Sequence, residues 1–363
     1  MKYIDEFRNK GLIKKVADKI SKIAPCDKVN IMEVCGTHTH NFRRFGLNRL
    51  IPNSINLIAG PGCPVCVSTQ DYIDKAITLA KQKDIIILTF GDMLRVPGGK
   101  ASLEKQRAEG SDVRIAYSAW DSLKLAKDNP TKKIIFLAVG FETTAPTIGL
   151  SILAAKKENL NNLFFFSSLK LIAPAMDYLV KDKRLNLQGF LCPGHVSTII
   201  GTKPYEFIPK RYKISCCVAG FEPLDILEGI YTLLKQIINN KPKVINQYAR
   251  VVRQKGNPKA QKIISKVFKI SDSSWRGLGG IAQSGLKIKD EFSKFDAEKV
   301  FSLYDKRYAI CDKPSRCRCG DILKGLISPM DCPLFSKVCS PDNPIGPCMV
   351  SIEGACNAYF KYH

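Results

Sequence analysis

The chain opens with apolar residues at helical spacing. Phe7, Leu12, Ile13, Val16, Ile20 and Ile23 recur every three or four positions, which predicts one or two helices within residues 1–25. Short apolar runs follow, each closed by Gly, Pro or a polar turn. Val29–Val34 and Ile55–Ala59 predict strands, and Ser68-Thr69-Gln70-Asp71 predicts a cap for a helix over Tyr72–Lys81. Ile85–Phe90, with a turn at Gly91-Asp92, and Val113–Tyr117 predict two more strands, the second leading into a helix over Ser118–Lys127. The pattern then restarts with strand Ile134–Val139, a helix ending near Lys157, strand Leu163–Phe166 and helix Ala173–Val180. Gly189–Leu191 and Ile214–Ala219 predict further strands, and Pro223–Ile238 a long helix. Strands alternating with helices of 10–15 residues imply a wound parallel sheet.

Beyond Asn240 the pattern changes. Val244–Phe268 predicts a strongly basic helix, and Ser271–Gly280 a loop. From Tyr308 onward the chain is rich in Cys, Pro and Gly and has little periodicity. Such a segment cannot build a large apolar core, so metal coordination is the obvious device for fixing it. Two echoes point to a duplicated unit: Val139-Gly140-Phe141-Glu142 is answered by Ala219-Gly220-Phe221-Glu222, and Gly60-Pro61-Gly62-Cys63 by Cys192-Pro193-Gly194-His195. The expected fold is α/β, with two similar wound parallel-sheet (Rossmann-like) domains over 28–130 and 131–240. A mainly helical, Cys-rich domain is expected from 1–27 plus 241–363.

Composition narrows the function classes. No run approaches the ~18 apolar residues of a membrane span, and the acidic start does not resemble a secretory signal, so a cytoplasmic protein is expected. The net charge of +23 would attract anions. The lysines are scattered, however, and no helix-turn-helix, zinc-finger or RNA-recognition signature is present, so neither nucleic acid nor membrane is an expected partner. Fourteen cysteines are too many to pass over, and in such a compartment they are not a disulfide frame. Seven of them lie between Cys311 and Cys356, and of the four histidines three fall in turns after apolar runs: His38, His40 and His195.

In wound sheets the turns beyond the carboxyl ends of the strands converge on one edge. That brings Cys35, His38, Cys63, Cys66, Glu142, His195 and Glu222 to a common place. Cys63-Pro64-Val65-Cys66 lets both sulfurs face one ion or each other, and those four residues leave a redox pair and a metal pair both open. Cys66, just before the Ser68 cap, is expected to be thiolate-prone. Cys35-x-x-His38 offers a sulfur and a nitrogen suited to iron or zinc, against a plain hydrogen-bonded turn histidine. His40 carries a weaker version of the same choice. Glu142 and Glu222 serve equally well as helix caps. In the tail, Cys319, Cys332, Cys339 and Cys356 are separated by 12, 6 and 16 residues. Four thiolates suit a 4Fe-4S cluster or a four-cysteine zinc site, and the lack of two tight pairs favours iron–sulfur. Cys311, Cys317 and Cys348 are left over as spare thiols.

These motifs together resemble the HypD family of NiFe-hydrogenase maturation factors. The resemblance rests on C-G-T-H-T-H (35–40), G-P-G-C-P-V-C (60–66), G-F-E-T-T-A-P (140–146), P-G-H-V-S (193–197), G-F-E-P-L-D (220–225), W-R-G-L-G (275–279) and the C-x12-C-x6-C-x16-C tail. It runs nearly end to end, with no departure at a motif position. It implies a scaffold on which the Fe(CN)2CO group of NiFe hydrogenases is assembled. The implied partners are a HypC-type chaperone, a HypE-type cyanide donor and, through HypC, the hydrogenase large subunit. By the same resemblance Cys35 matches the iron-binding cysteine with His38 beside it, Cys63 and Cys66 a redox-active pair, and His195 a cleft histidine. Glu353 matches a functional glutamate, and Cys319, Cys332, Cys339 and Cys356 match the ligands of a 4Fe-4S cluster that supplies electrons. A cluster-dependent thiol–disulfide oxidoreductase acting on a protein substrate is the alternative.

Overall fold

The computed structural model describes residues 4–303 and 316–362. Eleven strands among them form two sheets: β1 (Val29–Glu33), β2 (Ile55–Ala59), β3 (Ile85–Thr89), β4 (Val113–Ile115), β5 (Lys133–Gly140), β6 (Leu163–Lys170), β7 (Gly189–Pro193), β8 (Ser215–Ala219), β9 (Val244–Asn246), β10 (Phe268–Trp275) and β11 (Gly279–Ile288). The first sheet has the order β2-β1-β7-β8-β9 and is parallel throughout. The second has the order β10-β11-β6-β5-β3-β4, parallel from β6 to β4 and antiparallel at β11 and β10.

The apolar runs sit where the sequence pattern puts them because both faces of a parallel sheet are covered. In β5 every residue after Lys133 is buried. Thr69 caps the helix Gln70–Ala80 by accepting a hydrogen bond from the Tyr72 N–H, so the cap falls one residue beyond Ser68. Pro223 opens the helix Pro223–Ile238, where its missing N–H costs nothing. Ile226, Leu227 and Ile230 of that helix share a core with Ile31 of β1, Leu191 of β7, and Ala17 and Ile20 of the N-terminal helix Lys10–Ile23.

The strands do not follow the order of the chain. β1 and β2 join β7, β8 and β9, while β3 to β6 lie in the other sheet with β10 and β11. Each sheet therefore draws strands from both of the segments 28–130 and 131–240, and one or two more from beyond Asn240. The N-terminal helix packs on the first sheet's helices rather than on the Cys-rich tail. Hydrophobic periodicity is a local signal and carries no information about which strands pair.

Three local expectations are corrected. Val244–Phe268 is not one helix: Val244–Asn246 is an edge strand, and the helix is confined to Pro258–Val267, capped by Asn257. Ser271–Gly280 is not a loop but the body of the hairpin β10–β11. Ser and Asp are poor strand formers, so only the backbone ladder reveals β10. Gly91-Asp92 opens a short helix, Gly91–Leu94. Among the described residues no helix is long and apolar enough to cross a membrane.

Candidate functional site

Cys35 is the N-cap residue of the helix Gly36–Arg44, which begins directly after β1. Its carbonyl accepts from the N–H groups of His38 (3.0 Å) and Thr39 (3.3 Å). The loop after β2 lies flat against it. Gly36 N–H donates to Gly62 O at 3.1 Å, and a Cβ on Gly62 would run into the Cys35 backbone. Since β1 and β2 are adjacent, the two short loops have no room to part.

Cys63 and Cys66 form a disulfide with a Cα–Cα distance of 5.3 Å. Both are buried, at 2% and 0% exposure. The Cys66 N–H points at Cys63 Sγ at 3.1 Å. In the disulfide this backbone donor lies against Cys63 rather than Cys66, the sulfur that precedes the helix.

The tail reaches this corner from the other side. Cys66 Sγ lies 3.8 Å from Pro347 O. Glu353 Oε1 accepts a 2.8 Å hydrogen bond from Thr37 Oγ1, and a Cβ on Gly36 would overlap the Glu353 backbone. Burial pushes the Cys35 thiol up to about 12, and the Glu353 charge adds to this. Burial also raises Glu353 above the usual carboxylate range. Cys35 without a bound cation thus keeps its proton at neutral pH, and a metal would have to displace it.

His38 is fully buried, and its Nε2 donates to Gly220 O (2.9 Å) and Ala219 O (3.3 Å) at the end of β8. Nδ1 is left as an acceptor with no partner among the described residues. Burial lowers the His38 pKa to about 4, so the ring is neutral. Phe221 lies between the two histidines, 4.7 Å from His38 and 3.9 Å from His195 between ring centroids. Phe221 is the site residue that sequence reasoning misses. The repeated G-F-E motif carries the signal, but its glutamate is the residue with obvious chemistry.

Glu222 instead ion-pairs with Arg8 and caps the helix Pro223–Ile238 in a reciprocal box with Asp225. Glu142 follows β5 in the other sheet, accepts from Ile172 N–H at 3.0 Å, and so caps the helix Ile172–Val180. Both are helix caps. His40 packs edge-on against Tyr362, at 5.2 Å. Cys35, Cys63, Cys66 and Glu353 are brought together, and His38 and His195 share Phe221 beside them.

Cys319, Cys332, Cys339, Cys348 and Cys356 are all buried, and Cys317 is half-buried. Cys311 and His363 lie outside the described residues. Cys317, Cys319 and Cys348 lie close enough to perturb one another, and a Cβ on Gly346 would meet both Cys317 Sγ and Cys319 Cβ. Burial raises Cys356, and Cys317, Cys319, Cys339 and Cys332 add to it; at Cys339 burial is opposed by the backbone of Ile345 and Gly346, with smaller contributions from Cys317 and Cys332. No three His, Cys, Asp or Glu side chains among the described residues already stand as a closed metal cage. Ile345 N–H donates to Cys339 Sγ at 3.4 Å. The donor set nonetheless fits a cationic cluster: soft, buried sulfurs in one neighbourhood.

A sequence profile described as HypD, hydrogenase formation hypA family, matches residues 11–363. The hydrogenase maturation factor HypD2 of Bradyrhizobium diazoefficiens is 44% identical over 371 residues, covering 100% of this chain and 97% of that protein. The hydrogenase maturation factor HypD of Rhizobium leguminosarum is 44% identical over 371 residues, covering 100% and 96%. That of Escherichia coli is 43% identical over 369 residues, covering 100% and 98%. With a profile matched over nearly its whole length and relatives covered end to end, the chain belongs to the HypD family of hydrogenase maturation factors.

Proposed function

We propose that this protein is the scaffold on which the Fe(CN)2CO group of a NiFe hydrogenase is assembled. It acts in the cytoplasm with a HypC-type chaperone and a HypE-type cyanide donor, and the finished group passes through HypC to the hydrogenase large subunit. The single observation that carries this reading is the meeting of Cys35, the Cys63–Cys66 disulfide and the thiol-rich tail at one corner, through Gly62, Pro347 and Glu353. Iron enters as substrate and is held by the Cys35 thiolate. The thiol proton leaves as iron binds, and Glu353, whose charge bears on Cys35, takes it. His38 offers a neutral Nδ1 lone pair at the same edge of the sheet. Phe221 keeps His195 beside it.

Reduction of the Cys63–Cys66 disulfide takes up two electrons and two protons, and its closure returns them. A 4Fe-4S cluster on the tail supplies electrons one at a time. Cys319, Cys332, Cys339 and Cys356, the four thiols expected from spacing, are its proposed ligands, and all four are buried. Cys317 and Cys348, close to Cys319, are left as spare thiols beside it.

Infrared spectra of the protein purified anaerobically with its chaperone test the reading. CN and CO stretches are expected, and their full retention in Cys35→Ala would sink the role of Cys35. Iron and acid-labile sulfide analysis should show loss of the cluster in Cys319→Ser and in Cys339→Ser, and its retention in Cys319→Ser would move that ligand to Cys317. The oxidoreductase reading is favoured by the closed disulfide. It is opposed by the burial of both sulfurs from any protein substrate, and mixed-disulfide trapping with Cys66→Ser decides it.

A further inference from the structure

Lys170 ends β6 at the point where antiparallel pairing with β11 begins, opposite Gly285. The residue is 4% exposed. Nζ donates to Ser273 Oγ at 2.5 Å and to Ser274 O at 3.0 Å. An ammonium has three N–H donors, so one remains for whatever fills the adjoining space. That space is a cavity of about 220 Å3, lined by Lys170 together with Ser168, Ser271 and Ser273.

No carboxylate among the described residues lies within ion-pair distance of Lys170. Three line the cavity more distantly. Asp71 is held by Lys75 at 2.7 Å, and Asp272 accepts from Gln283 N–H at 2.9 Å. Glu298 acts on Lys170 only through space. Burial lowers the Lys170 pKa to about 8, so the amine is still mostly charged at neutral pH. A buried cation without a counter-ion is costly, by several kcal/mol in general.

Further donors surround the amine. Ser273 Oγ accepts from Lys170, so its own proton is free to be given elsewhere. The cavity also borders Thr69, the N-cap of the eleven-residue helix Gln70–Ala80, whose N-terminal dipole adds partial positive charge. Several N–H and O–H donors around one buried ammonium match an anion with three or four acceptor oxygens better than a planar one with two.

We propose that this cavity binds a small phosphate-class oxyanion, held by Lys170 and the hydroxyls of Ser168, Ser271 and Ser273. The site is independent of the iron chemistry and lies in the second sheet, on the side where its parallel strands give way to the hairpin.

Calorimetric titration of the full chain with inorganic phosphate, at constant ionic strength in chloride, tests this. One phosphate per chain should bind saturably. Lys170→Met should weaken it by about tenfold or more. That variant removes one of 56 Lys and Arg residues, so diffuse attraction to the +23 surface would survive it. It should also melt no lower than the parent, since it deletes an unpaired buried charge. Glu298→Gln should tighten phosphate several-fold, and it keeps the test alive if the methionine variant does not fold. No saturable heat at about 10 mM phosphate, well above a millimolar Kd, overturns the proposal. So does unchanged binding in Lys170→Met, or an equal response to acetate.

Discussion

Thr37 Oγ1 donates a 2.8 Å hydrogen bond to Glu353 Oε1, across 316 residues of chain. It fastens the tail loop onto the helix that Cys35 caps, and it keeps a raised carboxylate beside a raised thiol. Thr37→Val should cost about 1 kcal/mol in a thermal melt, the ordinary net worth of one such bond. It should also raise Glu353 further, since the bond favours the charged form. The chaperone-bound infrared bands should shift in that variant while total iron stays unchanged.

Gly62 is the tightest point of the corner. Gly62→Ala places a methyl group against the Cys35 backbone. A loss of at least about 1–3 kcal/mol is expected, as for other overpacked sites. Bound iron should fall with it, and a variant that melts like the parent would show that the two loops are free to part.

The loop that carries Phe221 depends on a buried ion pair. Asp225 is fully buried and takes a bidentate contact from Arg250, at 2.7 and 2.6 Å. Arg250→Ala leaves that carboxylate without its cation and should cost about 3–5 kcal/mol by chemical denaturation. Exchange of both partners for apolar residues should cost far less.

Glu142 makes stability fall with rising pH. Its folded pKa is raised by burial to about 7 from 4.5, so the folded state holds the proton more tightly than the unfolded chain. Stability is then lost between about pH 4.5 and 7 and is level above. Glu142→Gln keeps an acceptor for the Ile172 N–H and has no charge to bury. It should exceed the parent by up to about 3 kcal/mol at pH 8 and match it at pH 4. His38 acts in the opposite sense. Its pKa of about 4 means that stability is lost as pH falls from 6.5 toward 4.

Alkylation of the reduced protein should distinguish the thiols. Cys63 receives the Cys66 N–H, so it should react before Cys66. Cys35, pushed up to about 12, should stay unmodified at pH 8. Peptide mass spectrometry reads both outcomes, and early modification of Cys35 would contradict its protonated state.

Ile134–Val139 and Ile214–Ala219 were legible as strands because both faces are buried and the apolar runs are unbroken. The hairpin over Ser271–Gly280 was not, since Ser271, Ser273 and Ser274 satisfy their backbone through pairing that leaves no trace in hydropathy. Cys35, Cys63 and Cys66 were legible because thiols in Gly/Pro turns have few structural uses. The crowding of Cys317 and Cys348 around Cys319 was not. Spacing along the tail ranks cysteines by sequence distance, and the fold ranks them by which sulfurs face each other.

The interleaved strands also bear on synthesis. Asn30 N–H is satisfied by Gln188 Oε1, 158 residues further along. The ribosome therefore releases β1 and β2 long before the centre of their sheet exists. The second sheet's parallel core, β3 to β6, is complete in the nascent chain first. Cys35 and Cys63 wait through that interval without the later strands and the tail that complete their corner.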